Sequence, residues 1–186
     1  MAKKSKQNMT GLIFNIVIIA LAVLTVCTLF MPILKASGSV LKDLSVSATG
    51  SDVFTAAFNG EASVDFTDGA NMLIGMKNAD ENSFVAIVMI WGYIATVFVA
   101  LATAVFAVLN ILGMKFKLVN TILGSALVVL AIVTFIFALI TASKNTNVTE
   151  IAGAEVGTRT RAMVTAYLMF AGLIAGGLQV YKAKQK

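Results

Sequence analysis

The chain has 186 residues, long enough for one soluble domain, but 59% of them are hydrophobic and only 12% charged. A water-soluble domain carries about 25% charged residues, and here the 14 basic and 9 acidic residues are clustered, leaving long uncharged stretches. That excludes a soluble globular domain, a disordered tail and a fibrous chain, and leaves an integral membrane protein.

A bilayer core of about 30 Å needs about 20 apolar residues in helical form. Four stretches qualify: residues 11–34, 84–114, 118–143 and 162–181. They are continuous, not built from segments of about 10 residues alternating in polarity, so a membrane barrel is disfavoured. Lipid offers the backbone no hydrogen-bond partners, which leaves helices. The expectation is an all-α membrane protein over residues 1–186. It is a four-transmembrane-helix bundle with a small mixed α/β outer loop, residues 35–83, between its first two helices.

The first span has a basic start, but its apolar run exceeds a signal h-region of 7–15 residues. Leu24-Thr25-Val26-Cys27 resembles a lipoprotein cleavage box. Val26 is too large before the cysteine, and apolar residues continue to Leu34, so Cys27 reads as a small membrane-buried side chain.

Residues 35–83 form the sizeable outer segment. Leu44-Ser45-Val46-Ser47-Ala48 alternates with period two and predicts a short strand, ended by Gly50. Ser51 or Asp52 is the expected cap of a short helix carrying Val53, Phe54, Ala57 and Phe58, ended by Asn59-Gly60. A second alternation runs from Ala62 to Phe66, before the turn Asp68-Gly69. The segment is small for an independent core and has no cysteine to staple it. It is therefore expected to rest on the helix ends through Phe54, Phe58 and Phe66; exposure of those rings to a partner is the alternative. Glu61, Asp65 and Asp68 do not match the spacing of a calcium loop and read as a solvated acidic face.

The second span runs into the short connection 113–118, so spans two and three form an antiparallel hairpin. Ala100, Ala104 and Ala107 lie on related faces of span two. Residues 144–161 read as a solvated connection, with Glu150 and Glu155 set against Arg159 and Arg161 in weak ion pairs. Asn147-Val148-Thr149 matches a glycosylation sequon, relevant only in a secretory pathway. Span four holds Gly172-Leu173-Ile174-Ala175-Gly176, a GxxxG element extended by Ala171 and Ala175. Small residues at this spacing let helix backbones approach closely, within the bundle or in an oligomer.

With four spans, both tails and the connection 113–118 fall on one side, with eight basic residues and no acid; all nine acids lie on the other. Basic excess marks the cytoplasmic face, so the expected location is the cell membrane with both termini cytoplasmic. Trp91 and Tyr93 then fall near the outer interface and Tyr181 near the inner one, where amphipathic rings settle.

Chemistry is sparse. With no His and one Cys, neither a His/Cys metal site nor a His-based triad can form. No phosphate-binding loop is present, and the few basic residues do not make a nucleic-acid surface. No Asp, Glu, Lys or Arg lies inside the four spans, which disfavours an intramembrane aspartyl protease and proton-coupled transport. Asn110, Asn120 and Gln179 share a depth near the inner face, suited to hydrogen bonds between helices or to a polar permeation site. Spans one and two do not repeat in three and four, which weakens an inverted-repeat transporter. No cofactor is expected.

The arrangement resembles claudins and tetraspanins in topology, but the first outer segment has neither the Trp and Cys residues of claudins nor the later cysteine-containing loop of tetraspanins. Phe30-Met31-Pro32 and Gly50-Ser51-Asp52-Val53-Phe54 more closely resemble elements of small bacterial four-helix membrane proteins of uncharacterised role. That resemblance implies a membrane protein without catalytic residues. The expected function is structural, accessory or interaction-based and non-enzymatic. The expected partners are the lipid bilayer and either a membrane protein or a second copy, met through the outer segment or a small-residue helix face. A small oligomeric transporter or channel is the alternative.

Overall fold

The computed structural model describes residues 2–38, 45–59, 83–114, 116–144, 147–151, 154–162 and 164–184. The fold is mostly helical. Helix α1 spans Ala2–Cys27 and is followed by a 3₁₀ turn, Thr28–Phe30; strands β1 (Pro32–Gly38) and β2 (Ser45–Thr49) lead into α2 (Gly50–Asn59). Two long helices follow, α3 (Ser83–Ile111) and α4 (Lys117–Lys144), then strands β3 (Asn147–Ile151) and β4 (Ala154–Ala162). The short α5 (Val164–Tyr167) and α6 (Met169–Lys184) close the described chain. Among the described residues three helices are long and apolar enough to cross a membrane: Met9–Phe30, Ile87–Ile111 and Lys117–Ser143.

Several element ends differ from expectation, each for a local reason. The first helix was expected to run to residue 34 but stops at Cys27, and Pro32 opens β1; proline disfavours a helical residue before it and has no N–H to give a helix. The last helix was expected from residue 162, yet Ala162 pairs with Leu34 across β4 and β1. A helix can begin only after that strand ends, and a turn at Leu168 then separates α5 from α6. The cap of α2 is Thr49. The Asp52 backbone N–H donates to Thr49 Oγ1 (3.3 Å) and the Thr49 N–H donates to Asp52 Oδ2 (2.7 Å), a reciprocal capping box.

The chain folds as two compact units. The first comprises Met1–Cys27, Ala95–Ile132 and Leu168–Lys186. Its centre is Ala100, Leu127 and Ala175, all fully buried, with Leu21, Val26 and Val99 against them. Helix α1 packs along α6, presenting the buried face Asn15, Ile18, Ala22 and Thr25. The buried positions of α4 within this unit, Asn120, Gly124, Leu127 and Ala131, recur at alternating steps of four and three, the spacing of a helix seam. Large apolar residues point the other way: Ile13, Ile16, Leu101, Val105, Ile122, Val129 and Ile174 are exposed. The interior is thus mostly small or polar, with Ile18 and Leu127 among the exceptions, and the surface is bulky and apolar, the reverse of a protein in water. α3 ends in a Schellman motif: Met114 N–H donates to Leu109 O (3.1 Å) and Gly113 N–H to Asn110 O (3.3 Å). Gly113 sits at φ 94°, a conformation that favours glycine.

The second unit comprises Thr28–Ile94 and Val133–Tyr167. It holds an antiparallel sheet of order β2-β1-β4-β3. Residues 144–161, expected as a solvated connection, instead supply β3 and β4. The reason is register: β1 offers one backbone edge to β2 and the other to β4, from Leu34↔Ala162 to Gly38↔Thr158. In that register Glu150 stands opposite Glu155, and Lys35 opposite Arg161.

Candidate functional site

Small residues set the helix contacts of the first unit. Ala171, Gly172, Ala175 and Gly176 of α6 are buried, as are Ala100 and Ala104 of α3. At Gly176 an added Cβ would lie 2.5 Å from Gly124 O, and at Gly124 it would lie 2.7 Å from Gly176 O. Here two helix backbones touch, and only glycine permits it. Gly172 is less tight: its Cβ would meet Thr25 side-chain atoms at 3.2 and 3.3 Å and Leu127 at 3.5 Å. Gly177 faces open space. Gly124, the partner of the GxxxG element, was not singled out from sequence. Its signal was being the lone glycine in 118–143, where it weakens a helix unless packing requires it.

At the ends of these helices three amides form a chain. Gln179 Nε2 donates to Asn120 Oδ1 (3.1 Å), and Asn120 Nδ2 donates to Asn110 Oδ1 (3.1 Å). Gln179 Oε1 is buried without a hydrogen-bond partner, as is Thr103 Oγ1. One helical turn beyond Gln179, Lys182 Nζ donates to the buried Asn15 Oδ1. Burial pushes the Lys182 ammonium below its ordinary pKa by disfavouring the charged form. Thr25, Thr121 and Thr141 donate to carbonyls one turn back in their own helices. Amides and hydroxyls so arranged hold helices together.

In the second unit Tyr93 is fully buried, and its hydroxyl lies 3.1 Å from Thr28 Oγ1. This ring, expected in an interfacial belt, is instead an internal strut: its hydroxyl sits against Gly50, where a Cβ would come within 2.1 Å of it. Gly50 N–H donates to Met31 O (3.3 Å), so Tyr93 and the 3₁₀ turn together fix the start of α2. Trp91 and Tyr181 are half exposed. Tyr181 lies 6.0 Å from the Phe14 ring. Phe58 meets Trp91 edge-on at 6.0 Å and Phe54 at 5.8 Å. Phe66, the third expected contact, and the acids Glu61, Asp65 and Asp68 lie outside the described residues. Asp52 is occupied in capping. Among the described residues no group of three or more His, Cys, Asp or Glu is placed to hold a metal. Compared with protein-family models, curated proteins and solved structures, the chain matches none.

Proposed function

We propose that the chain is a non-enzymatic integral membrane protein of the cell membrane. It is a four-helix bundle with both termini cytoplasmic and an interaction role carried by its outer segment. The reversed burial of the first unit supports the lipid setting. Thermodynamically, a surface of exposed Leu, Ile and Val is favourable in hydrocarbon and aggregates in water. The three long apolar helices supply three crossings, and α5 with α6 supplies the fourth.

The observation that carries the interaction role is the sheet. The small-residue face of α6 is filled internally by Gly124, Leu127 and Thr25, which leaves the outer segment as the contact surface. β2 and β3 stand at the edges of the four-stranded sheet, and an edge strand carries backbone donors and acceptors that another chain can pair with. A photo-crosslinker at Val148 in β3 is expected to capture a membrane or envelope protein in cells. The same group at Ile174, on the exposed side of α6, is expected to capture none. Equal capture at both positions, or none at Val148, overturns the reading.

A second reading, a small oligomeric transporter or channel, is favoured by one feature: the buried, unpartnered Gln179 Oε1. Purified protein in liposomes without any partner would then conduct ions or solutes, and Gln179→Leu would abolish the flux.

A further inference from the structure

We infer that α2 lies in the outer interfacial layer of the bilayer, with Phe58 inserted among the lipids beside Trp91; this rests on the membrane reading above. The argument starts from the helix itself. Val53 is 1% exposed and holds α2 against the unit, while Phe58, little more than one turn on, is 63% exposed. Ser51 and Thr55 are exposed too, on the same side of the helix as Phe58 at steps of four and three, with Thr55 Oγ1 returned to Ser51 O. The helix therefore has one side on the protein and one exposed side, which is polar over its first turns and aromatic at Phe58.

The aromatic face continues a surface that already faces lipid. Trp91 is 50% exposed, and on the same helix Ile87 and Phe84 are exposed one and two turns before it. Phe58 packs edge-on against Trp91 and extends that apolar strip beyond the span. Phe and Trp rings are favoured at this depth, where one side meets hydrocarbon and the other headgroups.

Charge agrees with a neutral interface. α2 contains no Lys or Arg, and its one acid, Asp52, accepts from both the Thr49 N–H and the Thr49 hydroxyl at 2.7 Å. The carboxylate is bound inside the cap, which lowers the cost of bringing it near lipid. Attachment by such a helix depends on apolar area, not on anionic headgroups.

The test uses the full chain in zwitterionic nanodiscs, one copy per disc, in a Cys27→Ser background. Spin labels are placed singly at Phe58→Cys and at Phe98→Cys on the exposed side of α3. Dissolved oxygen reports lipid and a nickel chelate reports water. The expected result is several-fold greater oxygen than nickel access at 58 and 98, and no change on raising salt. Nickel access at 58 with oxygen access at 98 overturns the placement of α2 but leaves the membrane reading intact. Nickel access at both overturns the membrane reading as well. Low access to both reagents at 58 means that protein covers the ring, which also overturns the proposal. Trp91 is the sole tryptophan, so the unlabelled protein gives an independent check. Lipids brominated near the headgroup should quench its emission, and Phe58→Ser should increase that quenching; no quenching overturns the proposal without recourse to a cysteine variant.

Discussion

At the scale of single residues, the Tyr93 hydroxyl does two jobs, and substitutions can separate them. Tyr93→Phe removes the 3.1 Å hydrogen bond to Thr28 and should cost about 1 kcal/mol of stability. Gly50→Ala should cost about 1–3 kcal/mol. Its Cβ meets Tyr93 Oη at 2.1 Å, but also Leu29 Cα at 2.7 Å and Thr28 O at 2.8 Å. Adding Tyr93→Phe to Gly50→Ala relieves only the first of these contacts. Thermal unfolding in detergent should therefore show partial recovery in the double variant; full recovery would mean that the backbone contacts exert no strain. In the amide chain, Asn120 both accepts and donates, whereas Gln179 and Asn110 each sit at one end. Asn120→Leu should be the most damaging of the three leucine variants, by about 1–2 kcal/mol. Gln179→Leu should cost less, because it also removes the buried unpartnered Oε1. Lys182 adds a pH dependence with a defined sign. Its folded-state pKa is depressed, so between that value and its ordinary one the unfolded chain binds more protons. Stability from this group therefore rises with pH across that alkaline window. Wild type should gain on Lys182→Gln as pH is raised through it, read by unfolding at matched temperatures.

At the scale of elements, the contact between α4 and α6 predicts an order among glycines that helix propensity alone does not. Gly176→Ala and Gly124→Ala force a Cβ into opposing backbone carbonyls at 2.5 and 2.7 Å. Each should destabilise the bundle by about 1–3 kcal/mol. Gly172→Ala meets only side-chain atoms, the nearest at 3.2 Å, and should be nearly neutral, the tight contact offsetting the gain in propensity. Gly177→Ala meets nothing and should stabilise by up to about 1 kcal/mol. Were Gly176→Ala and Gly177→Ala equal in detergent unfolding, the close approach would carry no energy. This scale also shows what the amino-acid pattern can reveal. The long apolar helices are legible because their signal, twenty or more uncharged residues, is local. The Gly172 and Gly176 spacing is equally local, but its partner Gly124 belongs to another helix. The strands are harder. β4 carries Arg159 and Arg161 among threonines and glycine, with little apolar alternation to mark a strand. What makes it one is the backbone edge of β1, donated by a segment far away in sequence. Tyr93 misled for a related reason: a tyrosine near a span end suits the interface, but a threonine from another element gives its hydroxyl a better partner.

At the scale of the whole molecule, the sheet constrains how the chain threads the lipid. β1 follows α1 and β4 follows α4, and the two strands are hydrogen-bonded neighbours. Both must then lie on one side of any bilayer, since lipid does not tolerate an open strand between leaflets. Between them lie α3 and α4, two helices long and apolar enough to cross; if both cross, the chain returns to the side it left. This pairing can be trapped chemically. Successive pairs in an antiparallel ladder alternate between hydrogen-bonded and non-hydrogen-bonded, and the latter bring Cα atoms to about 4.5 Å, within disulfide reach. Ala36 faces Thr160 in the register and Ser37 faces Arg159, so one of these two pairs is of the closer kind. In a Cys27→Ser background, Ala36→Cys with Thr160→Cys and Ser37→Cys with Arg159→Cys should both be tested in intact cells with a mild, membrane-impermeant oxidant. One pair is expected to crosslink in high yield, detected as a mobility shift on a non-reducing gel that collapses on reduction. Offset pairs such as Ala36→Cys with Arg159→Cys should crosslink poorly, because they are not partners in the register. Crosslinking that ignored the offset would indicate two mobile segments meeting by chance, and none at all would separate β1 from β4 and with it remove the reason for counting an even number of crossings between them.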